Sequence, residues 1–299
     1  MYRGWRIAAI IVLVITAISW FFFRNQAGFI GGGAWFALLF IPAVGLRKLT
    51  ELFAQRRYRA ARRLAIVLQI FHPSAELRRQ IGLLRSLESQ PQHASYSWPN
   101  EDQRRRLRRA PAVLVLIALN ILVFLIEIAR GDTIAVLHRL GALDSNSVLF
   151  QHEYWRLVTS LFLHYGVVHL LFNLLALYVL GPDLERAIGT FRFSFCYLAA
   201  GLGSTAGVVA LTYLRVIQQG DVVGASGAVM GIVGAWAGFL LRHQHVPRAK
   251  QRLLNILVII AIQIAFDIST PQVSMPAHLC GLITGFIVGI VIAPKKMSI

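Results

Sequence analysis

The chain has 299 residues, of which 57% are hydrophobic and only 14% are charged, and its mean hydropathy is +0.62. Soluble domains are about half apolar with roughly a quarter of their residues charged. The composition therefore excludes an ordinary soluble domain and indicates an all-α polytopic membrane protein. The formal net charge of +17 would also suit a nucleic-acid-binding protein, and the placement of the basic residues decides between the two.

Runs of roughly 20 apolar residues, enough to cross a bilayer core of about 30 Å, predict eight membrane spans. They lie at about 5–23, 28–46, 111–129, 167–181, 190–212, 226–241, 253–268 and 276–293. The first run follows Arg3 and Arg6, as the core of a secretion signal would. No small-residue cleavage pattern follows it and a second apolar run comes at once, so it is interpreted as a retained anchor.

The placement of Lys and Arg predicts the orientation. With the N-terminus inside, 25 of the 30 basic residues fall in inner segments, and fifteen of these lie between Arg47 and Arg109. This bias predicts that both termini are cytoplasmic. The charge is then mainly a topology signal and an attraction to anionic lipid, and nucleic-acid binding is the weaker explanation. The expected location is a cell membrane, the inner membrane of a bacterium.

The predicted spans divide the chain into three parts. Residues 1–46 form a membrane hairpin, residues 47–110 a basic cytoplasmic helical segment with a linker, and residues 111–299 a core of six spans. The hairpin contains three consecutive glycines at 31–33, which a helix tolerates best where another backbone packs closely. A long outer loop, at 130–166, joins the first two spans of the core.

The basic segment is predicted to form two helices. The first has an apolar stripe at helical spacing and ends before His72-Pro73; its stripe is Leu64, Val67, Leu68 and Phe71. Ser74 suits the N-cap of the second, whose stripe is Leu77, Ile81, Leu84 and Leu87. The two helices could pack as an antiparallel pair or lie on the inner leaflet. Both a regulatory or partner-binding role and a simple topology anchor remain open.

A serine and a histidine stand near the outer ends of two core spans. Ser226 lies between Gly224 and Gly227, which let the backbone turn sharply and a substrate approach closely. His278 lies near the start of the last span, which runs in the same predicted direction, so the two residues have similar depth. A histidine is costly in a bilayer and is usually functional there. Because a serine hydroxyl needs a base to become a nucleophile, the pair predicts serine-type covalent catalysis.

Glycines one helical turn apart accompany both residues. They are Gly227 and Gly231 on one span and Gly281, Gly285 and Gly289 on the other. Such ridges let two helices approach closely, as a Ser–His hydrogen bond requires. The alternative, packing glycines beside an incidental serine, explains the ridges but not the histidine. Ser226 is also predicted at a helix N-terminus, where free N–H groups and the helix dipole favour negative charge.

A second polar cluster lies at the start of the span 167–181. His169 and Asn173 are four residues apart, hence on one helix face, and both can donate hydrogen bonds, as an oxyanion hole requires. His164 precedes them. A zinc site built from His152, His164 and His169 would need a convergence that their spacing does not favour. Interfacial histidines satisfied by water are the other alternative.

Together these segments resemble the rhomboid intramembrane serine proteases over roughly residues 111–299. The matching segments are Trp155-Arg156, HYGVVHLLFN from His164 to Asn173, GPDLERAIG around Glu185, GASGAVMG from Gly224 to Gly231, and AHLCGLITG from Ala277 to Gly285. One position departs from the family pattern. The residue four after the serine is often aromatic in the family, and here it is Met230, whose thioether can also pack on a histidine ring.

The resemblance implies a six-helix rhomboid core, with Ser226 as nucleophile and His278 as general base. His169, Asn173 and the backbone N–H of Ser226 would hold the oxyanion. Glu185 and the Trp155-Arg156 pair would be structural and pin the outer loop. The implied substrates are transmembrane segments of other proteins in the bilayer, cut near the outer interface. This implies no cofactor, no metal and no nucleic-acid partner.

Two other classes of protein remain as alternatives. A rhomboid-like non-enzyme would bind or escort membrane proteins, but such relatives usually lack the serine or the histidine, and this chain has both. A transporter would spread polar groups along a path and show a repeat, whereas here they cluster near one membrane face. Cys196 and Cys280 each lie in a predicted span, where cysteine usually behaves as a small apolar residue.

Overall fold

The computed structural model describes residues 41–71, 74–89, 110–131, 133–245, 249–270 and 273–292, together with residues 10–12, 14–19, 34 and 38. The predicted hairpin at 1–46 therefore lies largely outside the described residues, although residues 10–12 and 14–19 are helical. The chain divides into two compact units. The first comprises Met1–Trp98 with Ala261–Val273, and the second comprises Pro99–Ile260 with Ser274–Ile299.

After the helical residues 10–12 and 14–19, the described part of the first unit's N-terminal segment continues with α1 (Ile41–Ala54), α2 (Tyr58–Phe71) and α3 (Ala75–Ser89). The predicted break between α2 and α3 is confirmed, and the Ser74 hydroxyl caps α3 by accepting a hydrogen bond from Leu77 N at 3.2 Å. The predicted span 28–46 lies mostly outside the described residues, and its last residues belong to α1, which continues to Ala54. A helix does not need to end at the membrane surface if its next turns pack on a neighbour.

The helices α1, α2 and α3 pack around a small apolar core of their own. Its buried members are Leu49, Leu52, Ala61, Ala65, Leu68, Leu77 and Leu84. Arg59 and Arg62, at the start of α2, both bind Glu88 at the end of α3, at 3.0 and 2.8 Å, so these two helices are antiparallel. The hydrogen bonds from Arg62 and Arg59 hold the pKa of Glu88 below its usual value. Val67 belongs to the predicted apolar stripe of this helix, but its side chain is 50% exposed and does not enter the small core.

The second unit contains the remaining helices. In chain order they are α4 (Pro111–Ala129), α5 (Ile134–Leu140), α6 (Ser145–Phe150), α7 (Arg156–Thr159), α8 (Gly166–Ile188), α9 (Thr190–Tyr213), α10 (Ser226–Arg242), α11 (Ala249–Ser269, in this unit as far as Ile260) and α12 (Met275–Ile292). The described residues contain no β-strand, only an isolated bridge between Leu143 and Val222. The predicted loop at 130–166 is thus partly helical, with α5, α6 and α7 inside it.

Among the described helices, five are long and apolar enough to cross a membrane. They are Pro111–Ala129, Gly166–Ile188, Thr190–Tyr213, Ala249–Ile268 and Met275–Ile292. The chain is therefore an all-α, multi-pass membrane protein, as its composition predicts. The predicted span at 226–241 corresponds to α10, which is apolar but only 17 residues long. A core of six spans stays a prediction.

Helix α10 is the central helix of the second unit, since thirteen of its 17 residues are buried. At its glycines it packs on α12 mainly through backbone atoms. A Cβ added to Gly281 would strike Gly227 O, one on Gly285 would strike Gly231 O, and one on Gly289 would strike Ala235 O. These pairs keep a constant offset of 54 residues, so α10 and α12 run parallel. The predicted glycine ridges are confirmed, and they are the surface on which the two helices meet.

Glu185 joins the end of α8 to the beginnings of two other helices. Its carboxylate accepts hydrogen bonds from Ala112 N and Val113 N, both at 3.0 Å, and from the Thr190 hydroxyl at 2.8 Å. The first two are N–H groups in the first turn of α4, which have no acceptor within their own helix. The expectation that Glu185 pins the outer loop is therefore wrong. The N–H groups at the buried start of α4 need a hydrogen-bond acceptor. Glu185, whose side chain is buried with 1% of its surface exposed, supplies it.

We expect Glu185→Ala to destabilise the protein by about 2–4 kcal/mol, because two buried N–H donors would lose a charged acceptor. Thermal unfolding of the purified protein in detergent would measure the loss. Asp183→Asn is the matched control on the same helix, since the side chain of Asp183 is 57% exposed and surface changes usually stay within about 0.5 kcal/mol. Equal melting temperatures for the two variants would contradict this assignment.

Candidate active site

Ser226 is the first residue of α10 and follows a turn that requires glycine. Gly224 has φ +124°, in the region that side-chain-bearing residues avoid, and its N–H donates to Ser160 O at 2.9 Å. The Ser226 side chain is partly exposed. The N–H groups in the first turn of a helix have no intrahelical acceptor and carry the positive end of its dipole. The start of α10 therefore suits a negatively charged group beside Ser226.

His278 lies in the first turns of α12 at nearly the same level. The offset of 54 residues between α10 and α12 puts Ser226 level with Cys280, and His278 is two residues, or about 3 Å of helix rise, from that level. A Cβ on Gly227 would lie 3.4 Å from Ala277 O, so the residues next to Ser226 and His278 are in contact. His278 is only 4% exposed.

Ser204 on α9 fixes the start of α12 beside α10. Its hydroxyl donates to Ala277 O at 2.7 Å, and its side chain fills the space where Gly227 lacks a Cβ. Ser204 is buried. The carbonyl just before His278 is thus held by a side chain from a third helix, and the backbone that carries the histidine has little freedom to shift.

His169 lies against the turn that precedes Ser226. A Cβ placed on Gly224 would lie 2.8 Å from His169 Nε2 and 3.6 Å from Asn173 Nδ2. The backbone N–H of Tyr165 donates to His169 Nδ1 at 3.3 Å. Since that amide can only donate, Nδ1 accepts, and the proton of the neutral ring resides on Nε2. His169 therefore presents an N–H donor towards Gly224.

Asn173 adds a second donor one turn further along α8. Its Nδ2 donates to His169 O at 3.2 Å, and the amide carries another N–H. The structure thus brings His169 and Asn173 together at Gly224, two residues before Ser226. Their side-chain nitrogens lie beside the turn that leads into α10.

His164 is fully buried and does not face water as an interfacial histidine would. Its Nδ1 lies 3.1 Å from Phe162 O, and its backbone N donates to the Glu127 carboxylate at 3.2 and 3.3 Å. Burial, and after it the neighbouring His169, lowers the pKa of His164 to about 3, so the ring stays neutral at physiological pH. The two rings meet edge to face with centroids 5.2 Å apart. His164 is therefore a packing and anchoring residue beside His169.

The Trp155-Arg156 pair lies at the junction of α5 and α7 in the outer loop. Arg156 is only 5% exposed, and its Nη1 donates to His138 O and Ala142 O at 2.8 and 2.9 Å, at the end of α5. Its guanidinium lies 4.8 Å from the centroid of the Trp155 ring, in cation–π range. The buried arginine thus ties the end of α5 and the residue that follows its cap to the start of α7.

The outer loop also holds the segment that leads from α9 to Ser226. Leu143 and Val222 exchange two backbone hydrogen bonds, at 2.9 and 3.0 Å. The Gln219 side chain donates to Asp144 and accepts from Asn146, at 2.8 and 2.7 Å. Burial raises the pKa of Asp144, but hydrogen bonds from Ser147, Gln219 and nearby backbone outweigh it, and the pKa lies below the usual 3.8. These contacts hold the turn at Gly224 in place.

Four of these positioning groups were not singled out from the sequence. Ser204 sits in a small-residue run of α9, where an intramembrane hydroxyl is weak evidence on its own. Tyr165 acts through its backbone N–H, which no pattern of side chains indicates. Glu127 is fully buried near the end of α4. A carboxylate inside a predicted span is energetically costly, and this cost could have marked it as a structural or functional group. Gln219 is an ordinary loop residue in the sequence.

His152, His164 and His169 are the histidines of this region that the sequence offers as metal ligands. Within the described ranges, no three His, Cys, Asp or Glu side chains are grouped closely enough to hold an ion. His152 is exposed and its Nδ1 lies 3.0 Å from the Tyr154 hydroxyl.

Comparison with known proteins identifies the family. The model of the Rhomboid domain matches residues 151–295. RHOMBOID-like protein 6, mitochondrial, of Arabidopsis thaliana is 36% identical over 169 residues, which are 56% of this chain and 53% of that protein. The rhomboid protease GluP of Bacillus subtilis is 40% identical over 179 residues, 58% of this chain and 33% of that protein.

This chain thus spans about half or less of the length of those two relatives. It covers far more of the rhomboid protease AarA of Providencia stuartii, with 30% identity over 217 residues, 62% of this chain and 74% of that protein. The matched region holds Ser226, His278 and the donors around Gly224. On this match, the chain belongs to the rhomboid family.

Proposed function

We propose that this protein is an intramembrane serine endopeptidase that cleaves transmembrane segments of other membrane proteins near the outer interface. The observation that carries the proposal is the convergence at Gly224, where His169 Nε2 and Asn173 Nδ2 stand two residues before Ser226. The parallel offset of α10 and α12 supports it, because it brings His278 to the level of Ser226. Membership of the rhomboid family, whose relatives include proteins named as proteases, supports the same activity.

In this mechanism Ser226 and His278 act as a nucleophile and a general base. The Ser226 Oγ attacks the scissile carbonyl carbon while His278 takes the hydroxyl proton. The tetrahedral intermediate then collapses, the C–N bond breaks, and His278 gives its proton to the leaving amine. Water next attacks the acyl-enzyme while His278 takes one of its protons. The ester C–O bond then breaks, His278 gives that proton to the Ser226 Oγ, and the new carboxyl end is released.

The negative charge of the intermediate falls on the former carbonyl oxygen. The Ser226 N–H, the His169 Nε2–H and the Asn173 amide are the donors that would hold it, and Tyr165 keeps the His169 proton on Nε2. Donors fixed in advance in a site that largely excludes water are worth far more than in bulk water. Met230 is buried in the core of the second unit, and we assign its thioether the packing role that a ring often has in the family.

A rhomboid-like binding protein without catalysis is the competing function, and a serine-reactive probe separates the two. The purified protein in detergent, treated with a fluorophosphonate, is expected to carry one adduct on the peptide that contains Ser226, because only an activated serine reacts. Cleavage of a labelled transmembrane substrate is expected to stop in proportion to labelling. Absence of the adduct, or an adduct on another serine with cleavage unaffected, would refute the proposed enzyme.

We also propose that both termini are cytoplasmic, in the inner membrane of a bacterium, and that residues 111–299 form a six-span catalytic core behind the hairpin 1–46 and the basic segment 47–110. The bias of Lys and Arg supports this orientation. A reporter that is active only outside the membrane should work when fused after residue 140 and fail when fused near residue 95. The reverse pattern would invert the topology.

A further inference from the structure

One face of α2 exposes a stripe whose two ends differ in chemistry. Arg59 and Arg63 lie towards the start of the helix, and Ile66, Val67 and Ile70 follow at spacings of three and four residues, on the same face. The three apolar side chains are 45%, 50% and 75% exposed. The opposite face, with Ala61, Ala65 and Leu68, is buried in the small core of α1, α2 and α3. The packing of α1, α2 and α3 therefore leaves this apolar stripe exposed within the described part of the first unit.

The position of α1 gives the depth of this stripe. The predicted span 28–46 leads directly into α1, and Arg47 and Lys48 follow its end. Leu68 packs on the backbone of Gly45, where any side chain would strike it. The end of α2 therefore returns to the level at which the predicted span 28–46 ends. Ile70 lies about 3 Å deeper than Leu68, and Arg63 about 8 Å further out.

The surrounding charge is strongly basic. Between residues 47 and 89 there are ten Lys and Arg but only three Glu. Arg59 and Arg62 pair with Glu88 at the far end of the hairpin, whereas Arg63, Arg78 and Arg79 are exposed. Arg78 and Arg79 lie in the first two turns of α3, which adjoins the end of α2 because the two helices are antiparallel. Cationic groups thus flank the apolar stripe: Arg63 lies on its outer side, and Arg78 and Arg79 lie beside its deep end, from where their long side chains can extend to the headgroups.

We propose that the α2 stripe is a membrane-docking surface, in which Ile66, Val67 and Ile70 insert among the acyl chains of the inner leaflet and Arg63, Arg78 and Arg79 bind anionic lipid phosphates. This arrangement is that of an interfacial amphipathic helix, apolar towards the lipid and basic at the headgroups. It goes beyond the proposed protease activity and rests on the proposed cytoplasmic N-terminus. It gives the basic segment a physical role: a hairpin held against the membrane by lipid charge.

Spin labels on the full-length protein test the docking directly. Val67→Cys or Ile70→Cys carries a nitroxide, with Ser86→Cys, an exposed position one turn from the far end of α3, as the matched control. The native Cys196 and Cys280 are replaced by alanine, and Ser226→Ala removes proteolysis from the readout. The proteins are placed in nanodiscs of phosphatidylcholine with about a third phosphatidylglycerol, and collisions with oxygen and with a water-soluble nickel complex are compared.

Labels at 67 and 70 are expected to meet oxygen in preference to nickel, and the label at 86 to meet nickel. Removing the anionic lipid, or introducing Arg63→Gln, Arg78→Gln and Arg79→Gln, should shift the docking equilibrium towards water by roughly five-fold for each arginine. Ile70→Asp should expose a label at 67 to nickel. Nickel access at 67 and 70 equal to that at 86 would overturn the proposal. Protection from both reagents would overturn it in favour of a protein partner.

Discussion

Cleavage of a transmembrane substrate is expected to fall by about 10⁴-fold or more in kcat when either Ser226 or His278 is replaced by alanine. The Ser226→Ala variant lacks the oxygen that forms the acyl bond, and the His278→Ala variant lacks the base that takes its proton. KM should change little, because neither group is needed to bind the substrate helix. The double variant should be no slower than either single one, since the two groups act as a unit.

Single-turnover cleavage in proteoliposomes, with a substrate labelled on both sides of the cut, measures these rates. Ser194→Ala is the matched control, because Ser194 is a partly buried serine in the membrane helix α9 with no part in the proposed site. Its rate should match that of the unaltered protein. If the Ser226→Ala variant cut at an undiminished rate, the hydrolysis would have to be assigned to another nucleophile.

Gly224→Ala is expected to lower kcat by about 10²–10³, comparable to the loss of an oxyanion donor. A methyl group at this position would lie 2.8 Å from His169 Nε2 and 2.7 Å from its Cε1, so the ring must move away from the anion site. The φ of +124° is also one that alanine adopts only under strain. Both effects act on the turn before Ser226. Neither changes Ser226 or His278, the proposed nucleophile and base.

Gly220→Ala provides the control for this experiment. Gly220 lies in the same segment, and a Cβ there would meet no atom within 4 Å, so its activity should stay near that of the unaltered protein. His169→Ala should lose a similar factor to Gly224→Ala, and combining the two should add little, because both remove the same donor. Full activity in Gly224→Ala would show that the oxyanion is held elsewhere.

Much of the fold follows from the sequence because a bilayer imposes one simple requirement. Every backbone group in lipid must be satisfied within the chain, so long apolar runs become helices. The runs at 111–129 and 190–212 match α4 and α9 to within one residue. Helix ends outside the lipid were harder to predict. The helix α1 continues through Arg47 to Ala54 because packing against α2 stabilises its last turns.

The candidate site was predictable where side chains carry the chemistry and less so where the backbone does. Ser226, His278, His169 and Asn173 stand out because polar groups in a membrane are costly. The donor that sets the His169 tautomer is the backbone N–H of Tyr165, which leaves no trace in the sequence. Glu185 was assigned to the wrong region because its partners are also backbone N–H groups, at the start of α4.

The backbone contact between α10 and α12 makes the geometry of the proposed reaction independent of substitutions in the residues that would contact substrate. With glycine at most of the contacts, the distance between the helices is set mainly by main-chain atoms and not by the size or rotamer of side chains. Residues elsewhere around the site can therefore change to suit a new substrate without moving the proposed nucleophile relative to its base. Substrate specificity can change while the reaction geometry stays constant. Substitutions at the glycines, by contrast, would disturb that geometry.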